Sequence, residues 1–71
     1  MKITATVVFN DFEGGFWGLV DDTGNKYYPV DGIPSSNRIH GLRVEADIEP
    51  ANVVSMVMWG RPVVLLSISQ H

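Results

Sequence analysis

From Leu42 to Glu49 the chain alternates without exception, with Leu42, Val44, Ala46 and Ile48 on one side and Arg43, Glu45, Asp47 and Glu49 on the other. A period of two with one apolar and one charged face is a half-solvated antiparallel strand. Lys2 to Asn10 follows the same rule, Ile3, Ala5, Val7 and Phe9 opposing Lys2, Thr4, Thr6, Val8 and Asn10, and is rich in β-branched residues. Such strands must close on something. With 71 residues the chain removes only about 60% of its unfolded surface on folding. There is no Cys to build a disulfide framework, and the two His residues are far apart in sequence, so no structural zinc site supports the fold. The core has to be economical and well closed, which a small β-barrel achieves.

Turn signals divide the remaining chain. Asp11 to Gly15 is a loop ending in a glycine pair, Phe16 to Asp22 a second strand, and Asp22-Thr23-Gly24-Asn25 a turn in which Gly supplies positive φ. Lys26 to Val30 returns as a third strand, and Pro29, lacking an N–H, places it at an edge or an end. Asp31 to Gly41 has no periodic apolar face and reads as a loop, in which Ser35 or Ser36 is expected to cap one 3₁₀ or α turn that Gly41 ends. Pro50 kinks or bulges the long fourth strand, extended chain resumes over Val53 to Trp59, and Gly60-Arg61-Pro62 turns into a fifth strand, Val63 to Ser69. The expected fold is all-β: five short antiparallel strands in a Greek-key barrel, with the long loop between strands 3 and 4. That order matches the OB-fold. An SH3-like barrel is the competing architecture, but its long loop falls early, where only Asp11 to Gly15 stands here. Residues 1–71 form one domain, and strand-like sequence running almost to His71 leaves open that it is one domain of a longer protein.

Composition narrows the functions. With 45% hydrophobic and 18% charged residues the chain is an ordinary folded domain. Apolar runs such as Val63 to Leu66 fall far short of the ~18 residues of a membrane span, and Met1-Lys2 leads into alternation instead of a signal-peptide core. A soluble cytoplasmic protein without a membrane partner is the expectation. The net charge of -3 disfavours strong nucleic-acid binding, which draws on Lys and Arg to neutralise phosphates. Residues 11–31 set Asp11, Glu13, Asp21, Asp22 and Asp31 against Lys26 alone, a net of -4.

No catalytic pattern emerges. Asp21 and Asp22 point to opposite faces and are expected to cap their turn. Ser35-Ser36 lacks a G-x-S-x-G setting, Gly14-Gly15 precedes no helix, and His40 and His71 share no metal-ligand spacing. No enzyme activity, cofactor or metal is expected. Phe12 reads as a loop anchor, Trp59 as core or rim packing at a barrel end, and Val54, Met56 and Met58 as barrel lining or a dimer surface.

At Phe9-Asn10, at Trp17-Gly18-Leu19-Val20 and at Lys26-Tyr27-Tyr28-Pro29 the chain resembles the cold-shock domain family. There F-N ends the first strand, K-G-[FY]-G-F-I forms the second and V-F-V-H the third. Members are OB barrels that bind single-stranded RNA or DNA by stacking bases on aromatics of strands 2 and 3. The resemblance implies that Trp17 occupies the first stacking position, Leu19 the second, and Tyr27 that of the third strand. Pro29 stands where the family has His, no Lys precedes the second-strand motif, and Val8 replaces an aromatic.

Parity then poses the functional question. Trp17, Leu19 and Asp21 share one face of strand 2 and Phe16, Gly18 and Val20 the other, while Tyr27 and Tyr28 face opposite ways. If Trp17 and Tyr27 are the outer pair, they offer a stacking surface, with Lys26 and Lys2 near phosphate. The expected function is then weak, salt-sensitive binding of single-stranded RNA or DNA through Trp17, Leu19, Tyr27, Lys26 and Lys2. The alternative is a protein-interaction or structural module on the same barrel, its partner another protein or another domain of the same chain.

Overall fold

The computed structural model describes residues 1–11, 14–53 and 58–71. Among them are five strands, β1 (Lys2–Asn10), β2 (Phe16–Asp21), β3 (Lys26–Pro29), β4 (Arg43–Pro50) and β5 (Arg61–Gln70), and one 3₁₀ turn over Ser35–Asn37. The strands close in the order β1-β2-β3-β5-β4, with β4 returning to β1. The all-β, OB-like barrel expected from strand count and loop placement is the observed architecture, its long connection running over residues 30–42 between β3 and β4. Four seams are antiparallel, and β3 meets β5 in parallel, Tyr27, Tyr28 and Pro29 opposite Arg61, Pro62 and Val63. Geometry requires this: five strands alternating in direction cannot close a ring without one parallel pair.

The alternating strands deliver their apolar faces inward. Ala5 and Val7 of β1 and Val44, Ala46 and Ile48 of β4 are buried, joined by Leu19, Tyr27 and Val63. Ile33, from the long connection, enters the same core and is 2% exposed. The connection folds onto itself there, Arg38 Nε donating to the Ile33 carbonyl at 2.6 Å. The 3₁₀ turn forms where a single turn is expected, but no serine caps it. Pro34 occupies the N-cap with φ -53°, and Ser35 accepts the Arg38 N–H through its carbonyl.

Pro50 closes β4, and the irregularity in that strand's pairing lies earlier. The register between β4 and β5 shifts between Asp47 and Ile48, since Asp47 faces Ser67 whereas Ile48 faces Leu65. Leu66 is the extra residue, which lets Leu65 and Ile68 both pack against the core despite their odd spacing. The expected resumption of strand over residues 53–59 falls largely on residues 54–57, which lie outside the described residues, as does Phe12; Val53, Met58 and Trp59 belong to no strand. Among the described residues no helix is long and apolar enough to cross a membrane.

Candidate nucleic-acid interface

The register settles which face of β2 looks outward. Residues directly opposite on neighbouring strands share a face. Val7, Leu19 and Tyr27 lie opposite one another across β1, β2 and β3, and Val7 is fully buried. The rung therefore points into the barrel. Leu19 is 0% exposed and Tyr27 6% exposed, so neither presents a face on which a base could stack. The condition that Trp17 and Tyr27 form the outer pair is therefore not met, and Leu19 does not take the stacking position that the resemblance implies. Trp17 has the same inner parity, opposite Phe9 at the end of the β1–β2 ladder. It is half-buried against the core, its ring centroid 5.0 Å from that of Phe9. The Phe9 N–H donates to His40 Nδ1 at 2.9 Å, tying the long connection to this end of the barrel.

The two lysines are separated as well. Lys2 lies opposite Asp47 on the β1–β4 seam, in a shallow polar depression with Glu45, Ser67 and Ser69. Lys26 lies on β3. Of the expected set, only Lys26 remains on the outer wall of β2 and β3.

That wall carries a different aromatic group. Phe16 and Tyr28 meet edge to face with centroids 5.4 Å apart, and Phe16 meets Trp59 in a similar arrangement at 5.4 Å. Lys26 Nζ stands 5.7 Å from the Trp59 ring centroid, within cation–π range. Gly18 makes the arrangement possible. A Cβ added there would lie 2.3 Å from Trp59 Cζ3 and 2.5 Å from Cη2, so the indole rests on the strand where a side chain would otherwise stand. Gly60, at φ +70°, lets the chain after Trp59 pass the Lys26 carbonyl, 2.8 Å from where a Cβ would sit. Sequence reasoning missed Phe16, Tyr28 and Trp59 as a group. The available signal was Gly18, since glycine inside a strand often marks a close approach.

Two of the acidic residues beside the wall, Asp21 and Asp22, are engaged. Asp21 Oδ1 accepts from the Thr23 N–H, the Thr23 hydroxyl and the Asn25 N–H, and Oδ2 accepts from Asn25 Nδ2 and from the Tyr27 hydroxyl at 3.0 Å. Desolvation pushes its carboxyl up, but the bonds from Asn25, Thr23 and Tyr27 outweigh it and hold the pKa at about 2. Desolvation and the neighbouring Asp21 raise the Tyr27 phenol in turn. Asp21 thus caps the turn as expected, whereas Asp22 leaves it and takes a two-bond fork from Arg43, at 2.7 and 3.1 Å. The hydrogen bonds from Arg43 hold the Asp22 carboxyl below its usual range. Arg43 also donates to Thr6 Oγ1, so the β2–β3 turn is strapped across β1 to β4.

The buried Tyr27 also borders an open cleft of about 530 Å³ that Ile48, Pro50, Pro62 and Val63 line, with Glu49 and Arg61 at its edge. Comparison with protein-family models, with curated proteins and with solved structures finds no match.

Proposed function

We propose that the outer wall of β2 and β3 binds single-stranded RNA or DNA weakly, with bases stacking on Trp59 and Tyr28 and Lys26 meeting a phosphate. The observation that carries this reading is the seat of Trp59 on Gly18, which keeps a large π surface on the outside of the barrel beside a cation. OB barrels use the faces of strands 2 and 3, with the loops joining strands 1–2 and 4–5, to hold oligonucleotides and oligosaccharides. Trp59 comes from the loop between β4 and β5. Each stacked base contributes ~1–3 kcal/mol. With Lys26 the only lysine on this wall, about one phosphate is neutralised, giving a log–log salt slope near -0.7. The chain acts here as a binding module, without catalysis.

Titration with oligo-dT and oligo-U at low salt, followed by amide shifts, tests the reading. Shifts are expected at Phe16, Gly18, Lys26, Tyr28 and Trp59, with Leu19 unmoved. Gly18→Ala, whose methyl displaces the indole, is expected to weaken binding about tenfold, equivalent to the stacking contribution of one base. A spectrum unchanged at ~100 μM oligonucleotide ends the proposal.

A further inference from the structure

β5 is 10 residues long, yet its seam with β3 uses only Arg61, Pro62 and Val63. On its other side β4 accompanies it to Gln70. The Val63 carbonyl accepts the Val30 N–H at 3.0 Å, and past that point no hydrogen bond among the described residues reaches the flank of β5 that faces away from β4. Just past the strand, the bond from the His71 N–H to the Arg43 carbonyl also belongs to the β4 side. Antiparallel pairing directs alternate residues of a strand toward the partner and away from it. The residues over 64–70 that turn away from β4 therefore form a free edge within a barrel whose strand order is closed.

Free edges are normally guarded by lysine, proline, bulges or covering loops. Residues 63–70 read V-V-L-L-S-I-S-Q, with no charge and no proline. The register shift that sets off Leu66 is one guard, but Ser67 to Gln70 continue in regular pairing beyond it, and Leu66 itself is 53% exposed.

We propose that this edge pairs with the same edge of a second copy of the chain, β5 against β5, antiparallel about a two-fold axis. An antiparallel edge is its own complement, because its outward donors and acceptors alternate, and a two-fold brings residue i opposite j and j opposite i. The edge carries no charge, so it offers nothing to an acidic or basic peptide. Two copies meet there without like-charge repulsion, although each chain carries -3. The chain itself supplies an uncharged strand of matching length. This surface is separate from the aromatic wall, and its test does not depend on oligonucleotide binding.

Sedimentation velocity over about 5 μM to 1 mM, combined with amide exchange at both ends of that range, tests the pairing. A reversible dimer is expected, with amides in 64–70 exchanging about tenfold more slowly at the high concentration. Leu66→Lys and Ser69→Lys both alter exposed side chains and are expected to keep the fold. Each is expected to raise the dissociation constant about tenfold or more by placing like charges across the two-fold. A strict monomer overturns the proposal. So does a dimer whose exchange over 64–70 ignores concentration or whose affinity ignores both lysines, or a monomer that pairs this edge with an unrelated extended peptide instead.

Discussion

Asp21 works as a knot for the β2–β3 turn, its two oxygens accepting five hydrogen bonds. The sign of its pH effect follows from the direction of the shift. Its folded pKa of about 2 lies below the ordinary carboxyl value of 3.8, so its stabilisation is fully present above 3.8 and is lost as the pH falls toward 2. Thermal unfolding recorded between about pH 2 and pH 6 is expected to show a steep loss of stability below pH 4. Asp21→Asn is expected to be less stable than the parent at pH 6 and to flatten the slope between pH 4 and 2. An unchanged slope in that variant would mean that another carboxylate governs the acid limb. The Tyr27 hydroxyl takes part in this knot, which is why a tyrosine occupies a buried rung where phenylalanine would fill the same space.

β3 is the weakest element by construction. It has four residues, ends in a proline without a donor, and meets β2 through only Leu19↔Tyr27 and Val20↔Lys26. β1 and β4, by contrast, pair along most of their lengths on both sides. Native-state hydrogen exchange is expected to find the amides of β3 opening at lower free energy than those of Val7, Val44 and Ala46; uniform protection would contradict this. The same contrast explains what could be read in the chain. β1 and β4 carry a polar and an apolar face, so their inward residues were legible directly. β2, F-W-G-L-V-D, is apolar on both faces, and nothing within those six letters says which side is the core. Register with Val7 decides it, and register is a property of the pair. The family resemblance aligned Trp17 and Leu19 with stacking positions, and the barrel turned that parity inward. The outer aromatic group needed Trp59 as well, which reaches Phe16 from a distant loop by a contact that no local pattern encodes.

At the scale of the whole molecule, the long connection returns Ile33 to the core of the closed barrel and provides no covering helix. In so small a domain that one side chain matters. Ile33→Ala is expected to cost about 2–4 kcal/mol, against a total stability of roughly 4–11 kcal/mol for a chain of this length. Urea unfolding checks it: a change under about 1 kcal/mol would mean that the connection contributes little to the core. Closure has a further result for the two tryptophans. Trp17 belongs to the inner parity, against Phe9, and Trp59 to the outer wall, beside Lys26. The molecule thus contains two built-in optical probes, one sensing barrel integrity and the other surface occupancy, and exchanging either for phenylalanine would let fluorescence separate unfolding from ligand arrival.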